Sequence, residues 1–154
     1  MTKIHADQVP ELTGTSYPAP HDALVKSRRV RPLGIATGLS QFGVNLITLP
    51  PGGWSSQRHW HTHEDEFVWI VQGQLKLVTD AGAQTLAPGD CAGFPAGEAD
   101  GHHLINETEA DAVFLVIGGR HDNDVCDYPD IDMRSVAGRY SSKAGFTTKD
   151  GTPL

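Results

Sequence analysis

Two cysteines in 154 residues are too few for a disulfide framework, so burial and not cross-linking must hold the chain together. Both are expected to be reduced, with Cys91 a buried thiol in the short apolar run after Pro88-Gly89-Asp90. Long apolar runs are also missing. The longest, AVFLVI ending at Ile117, is far short of a membrane span, and MTKIHADQVPELTG at the N-terminus carries no apolar signal-peptide core. No membrane partner is expected, and the default location is cytoplasmic. Basic residues are scarce: 12 Lys and Arg against 19 Asp and Glu give a formal net charge of −7. Phosphate neutralisation along a nucleic acid needs a concentrated positive surface, so DNA and RNA are excluded as expected partners. One local exception is Lys26-Ser-Arg-Arg-Val-Arg31, with four basic residues in six. It reads as a solvated or inter-subunit edge, with an anion-binding strip as the alternative.

What the chain has is punctuation. With 17 Gly and 10 Pro between short apolar runs, turns and strands are favoured over helices, and the length suits one domain with a real core. Residues 1–38, proline-containing and poor in periodic runs, read as an extended arm that wraps the barrel or a neighbouring subunit. Residues 39–120 read as the barrel core. Its strands are Val44 to Leu49, the stretch ending at His61, EFVWIVQ, a hairpin of Gln74 to Thr79 with Gln84 to Ala87 around Asp80-Ala81-Gly82, then CAGFP, HHLIN and DAVFLVIGG. Residues 121–154, acidic and then polar, read as an irregular tail expected to pack on the barrel.

The stretch GWSSQRHWHTHEDEFVWIVQG, from Gly53 to Gly73, carries the chemistry. Side chains alternate along a strand, so His59 and His61 point the same way, together with Ser55 and Gln57. THED suits a turn, and Glu66 opens the returning strand beside the histidines. His102 is the candidate fourth ligand. His103 faces the other way in an extended segment, and His63 falls in the turn. Asp65 competes with Glu66 only if that turn is shorter.

These residues resemble the cupin superfamily. Its first motif, G-x5-H-x-H-x(3,4)-E-x6-G, is met by Gly53, His59, His61, Glu66 and Gly73. Its second, G-x5-P-x-G-x2-H-x3-N, is met by Gly89, Pro95, Gly97, His102 and Asn106, except that four residues instead of two separate Gly97 from the histidine. The resemblance implies an all-β fold, a small antiparallel β-barrel or jelly roll, with one divalent transition metal ion in its mouth: Mn, Fe, Ni, Co or Zn. The implied ligands are His59, His61, Glu66 and His102.

Three imidazoles and a carboxylate leave two positions open on an octahedral ion, enough for a substrate to chelate through adjacent oxygens. Val68, Ile70 and Leu104 are expected to wall the pocket, with Gln57 a polar group beside the metal. Glu98, Asp100 and His103 are the candidates for proton transfer. The expected partner is a small, oxygen-rich molecule, and resemblance to cupins grouped with sugar-phosphate isomerases points to isomerisation. The alternatives are an iron-dependent dioxygenase and a non-catalytic binding or sensing module. The opposite face, with Trp54, Ser56, Arg58, Trp60, Phe67, Trp69 and Val71, is unusually aromatic and suggests packing within the chain or in a homodimer.

Overall fold

The computed structural model describes residues 3–141 and 145–154. Among the described residues thirteen short strands run in chain order: β1 (Leu12–Thr13), β2 (Arg29–Arg31), β3 (Phe42–Leu49), β4 (Trp60–His61), β5 (Glu66–Gln72), β6 (Leu75–Thr79), β7 (Gly82–Leu86), β8 (Cys91–Phe94), β9 (His103–Ile105), β10 (Ala112–Gly119), β11 (Cys126–Tyr128), β12 (Met133–Ser135) and β13 (Phe146–Thr147). All the pairings among them are antiparallel. One six-stranded sheet has the order β1-β2-β3-β10-β5-β8. Facing it are a three-stranded sheet, β7-β6-β9, and a four-stranded one, β13-β12-β11-β4, joined by bridges of Trp54 to Ile105 and His59 to His102. The result is an all-β jelly roll. Among the described residues no helix is long and apolar enough to cross a membrane.

The core follows from period-two patterning. On β5, Val68 and Ile70 are buried while Phe67, Trp69 and Val71 stand outside, 39%, 50% and 53% exposed. Val68 and Ile70 join Ile47 and Leu49 of β3, Phe114 of β10, Leu75 and Leu77 of β6, and Leu104 of β9 in one cluster between the layers. Turns are set by glycine where the backbone demands it. Gly73 has φ +74°, and a Cβ there would meet Ala112 Cα at 2.9 Å.

Four expectations need correction. The arm is not merely draped over a barrel that starts near residue 39, because β2 pairs with β3 and β1 with β2, extending the main sheet. The tail contributes three strands, and β11 pairs with the histidine-bearing β4. Its Cys126, Tyr128 and Met133 are buried with Tyr17 and Phe146 against them. Cys91 is exposed, not buried. It lies opposite the exposed Trp69 on edge strand β8, hence on the outer face. Finally, Ser55 to Arg58 form bends instead of a strand, so alternation does not govern them. Ser56 is therefore buried beside His59, 3.3 Å from Oγ to Nδ1.

Candidate metal centre

Glu66 opens β5 at the mouth of the sandwich, and three imidazoles from the opposite layer close on it. Its Oε2 lies 3.3 Å from His61 Nε2, 3.9 Å from His59 Nε2 and 3.8 Å from His102 Nε2. The bridge between His59 and His102 holds those two residues side by side, with ring centroids 4.9 Å apart. All three histidines are buried. The four residues named in the sequence thus come together from segments 43 residues apart.

The partners on the far side of each ring decide which nitrogen faces inward. His59 Nδ1 donates to the Gln57 carbonyl at 2.9 Å, leaving Nε2 as an acceptor toward the centre. His61 Nδ1 donates to Asp124 Oδ2 at 2.8 Å. A carboxylate behind a histidine is the arrangement that orients a metal-ligating imidazole and raises its basicity. His102 lies flat on Phe94, centroids 3.5 Å apart, and neither of its buried nitrogens has a hydrogen-bond partner among the described residues. An orphaned buried nitrogen aimed at a carboxylate and two imidazoles fits a cation. His59, Glu66 and His102 lie close enough together to hold a metal ion, and His61 Nε2 adds a fourth donor 3.3 Å from Glu66.

Electrostatics at the centre are strongly coupled. Burial alone would raise the Glu66 pKa, but His102, His61 and His59 hold its carboxyl well below the usual range. Burial pulls His59 down to about 3 against the attraction of Glu66. For His61 burial also opposes the charge, yet Asp124, Cys126 and Glu66 outweigh it and hold the ring up to about 12.

A second layer was not visible in the sequence pattern. Asp124, fully buried, accepts from the His63 amide at 2.8 Å as well as from His61. Glu64, 3% exposed, accepts from the His121 amide at 2.6 Å and the Tyr140 hydroxyl at 3.0 Å, and pairs with Arg139. Arg139 also lies 3.3 Å from Asp124, so this acidic pair is already compensated and competes poorly for the ion. The only sequence signal was acidity within DNDVCDYPD.

The remaining sequence candidates divide. Val68 and Leu104 line a cavity of about 670 Å³ that contains the His and Glu cluster; Ile70 lies deeper, in the core. Gln57 is committed elsewhere than the His and Glu cluster, its Nε2 donating to the His21 carbonyl at 2.8 Å. Glu98 and Asp100 are exposed and border a separate hollow of about 290 Å³ that His61 and His102 also flank. His103 borders the large cavity, edge-on to Trp54, with Nδ1 donating to the Ser56 carbonyl at 3.1 Å. His63 is exposed and stacks on His121. Asp65 is exposed, borders the large cavity and accepts from the Ala96 amide at 2.8 Å.

A family model described as a cupin domain matches residues 45–118. A crystal structure of a cupin-superfamily sugar phosphate isomerase from Silicibacter pomeroyi is 45% identical, covering 99% of this chain and 96% of its own, with a TM-score of 0.94. A candidate sugar phosphate isomerase from Acidithiobacillus ferrooxidans is 33% identical over 83% of this chain and 80% of its own, TM-score 0.74. The polyketide cyclase RemF of Streptomyces resistomycificus, 23% identical over 77% of this chain and 79% of its own with a TM-score of 0.63, shares the fold. No protein with a curated description matches.

Proposed function

Since the chain belongs to the cupin superfamily, we propose that it is a metal-dependent isomerase of a small phosphorylated sugar. The observation that carries this reading is the convergence of three inward-facing imidazoles on Glu66 within a large cavity. The names of the two neighbours supply the substrate class. His59, His61, His102 and Glu66 would hold the ion. When bound, it would supply Lewis-acid polarisation of adjacent substrate oxygens.

The chain's own residues do the rest. Asp124 and the Gln57 carbonyl fix the ring orientations of His61 and His59. Val68, Leu104 and Phe114 exclude water from the inner wall. Interconversion of an aldose and a ketose moves a proton between neighbouring carbons, which needs a base of near-neutral pKa. Of the three sequence candidates His103 is the one at the wall of the large cavity. Its Nδ1 is committed to the Ser56 carbonyl, and burial holds the ring's pKa down, leaving Nε2 as the proton acceptor.

The test is an NMR assay in D₂O with a panel of triose to heptose phosphates, using metal-stripped and metal-restored protein. Interconversion of one aldose and ketose pair, with deuterium entering beside the carbonyl and only after metal is restored, is the expected result. His103→Gln should lower kcat with little change in metal content. Absence of exchange across the panel, with metal loading verified, contradicts the reading.

A further inference from the structure

The basic cluster at residues 26–31 separates in the fold. Arg29 and Arg31 reach Glu11 at 3.2 and 3.5 Å, and Arg29 also pairs with Asp111. Arg58, Arg134 and Arg139 have carboxylate partners too. Arg28 and Arg120 have none among the described residues, and both border the large cavity. Arg120 leans over the Tyr140 ring, with Nη1 near the Leu39 carbonyl at 3.3 Å. Arg28 is turned inward. Its Nη1 donates to the Ser55 carbonyl at 2.6 Å and its Nε to the Gly14 carbonyl at 3.4 Å, while Nη2 forms no hydrogen bond among the described residues.

A guanidinium withdrawn from water without a paired carboxylate is costly, and two carbonyls satisfy two of its five N–H groups. Burial lowers the Arg28 pKa, opposed by Tyr17, Tyr128 and Glu66. Both phenols also border the cavity. Burial pushes Tyr17 up to about 12 and Tyr128 upward as well, so both phenols are neutral, and because the two hydroxyls bond to each other the pair keeps one proton to donate into the cavity. A planar fork with free N–H groups, flanked by a hydrogen-bonded pair of neutral phenols with one proton left to donate, matches an oxyanion.

We infer that Arg28, with the Tyr17 and Tyr128 hydroxyls, forms the anion subsite of the cavity and holds the phosphate of a substrate whose sugar oxygens face the His and Glu centre. This rests on the functional reading above and adds to it the residue that selects phosphorylated over neutral sugars. The competing role for Arg28 is purely structural, a strut tying the arm at Gly14 to the loop at Ser55. That role would not depend on whether a ligand is charged.

Calorimetric titration of the metal-replete and metal-stripped full chain with glycerol 3-phosphate, glycerate and glycerol separates the two. Glycerol 3-phosphate should bind both forms and glycerol neither. Arg28→Met should weaken glycerol 3-phosphate at least tenfold and Arg28→Lys by a smaller factor, each with unchanged metal content. Comparable binding of glycerate would widen the subsite to carboxylates and overturn its phosphate selectivity. Wild-type affinity in Arg28→Met, or equal binding of glycerol, overturns the inference. Should Arg28→Met fail to fold, a wild-type crystal soaked in tungstate decides: an oxyanion on Arg28 supports the subsite, and an oxyanion only elsewhere overturns it. Arg28-dependent phosphate binding without isomerase turnover would sink the functional reading alone, whereas turnover by Arg28→Met with an unchanged KM would sink this inference alone.

Discussion

His61 Nδ1 and Asp124 Oδ2 lie 2.8 Å apart, joining a residue of the motif-bearing strand to one 63 positions later in the tail. The pairing of β4 with β11 sets this distance, since Cys126 is the direct register partner of His61. The tail thereby aims the ring that the first half of the chain supplies.

Asp124→Asn removes the negative charge while keeping the shape. Metal affinity should fall by about 10- to 100-fold, the usual range for loss of an outer-shell partner. Competition with a chromogenic chelator measures it. Undiminished affinity would mean that Asp124 serves folding only.

Protons follow from the same pair. In the metal-free protein His61 is held up to about 12, above the ordinary histidine value of about 6.5. Stabilisation from the charged ring is then complete below about pH 6.5 and fades as pH rises toward 12. His59, depressed to about 3, costs stability only as pH falls from about 6.5. Between pH 7 and 9 the metal-free protein should therefore lose stability with rising pH, by at most about 1.4 kcal/mol per unit from His61. Ligation requires a neutral imidazole, so metal uptake at pH 7.5 should release about one proton. Calorimetry in two buffers of different ionisation enthalpy counts that proton, and a count of zero contradicts the assigned charge of His61.

Arg139→Met strips the partner from Glu64, whose carboxylate is almost wholly buried. Breaking a buried pair from one side costs about 3 kcal/mol, at the low end of the range because Arg139 is a quarter exposed. Denaturant unfolding should show this loss, and Arg139→Met with Glu64→Gln should recover part of it. Recovery of nothing would mean that Arg139 contributes by packing instead of by charge.

Gly73→Ala places a Cβ against Ala112 at a residue with φ +74°. Left-handed strain and overpacking together should cost about 2 kcal/mol or more. Gly82→Ala, also at positive φ but with nothing within 4 Å, should cost less. Equal melting temperatures for the two variants would contradict the packing argument.

The sequence made the His and Glu cluster legible because its members sit in local patterns: His59 and His61 two apart, and Glu66 at the head of a strongly alternating strand. Alternation also placed Val68 and Ile70 inside and Phe67, Trp69 and Val71 outside. It misled at Gln57 and Ser56, because residues 55–58 are bends, where parity has no meaning. Glu98 and Asp100 looked close to the site along the chain, but their connection is carried outward to an exposed hollow. Asp124, Glu64 and Arg139 were illegible for a different reason. The contacts of Asp124 with His61, and of Glu64 with His121, Arg139 and Tyr140, span 57 to 76 residues, and no spacing rule links positions that meet only after sheets pair.

The central claim is a metal ion held by His59, His61, Glu66 and His102. Its most direct test is elemental analysis of untagged protein purified without chelators, beside a His102→Ala variant whose folding is checked by circular dichroism. The expected result is close to one equivalent of a divalent transition metal in the wild type and its loss from the folded variant. Equal metal content in the two, or none in the wild type even after reconstitution, would contradict the account.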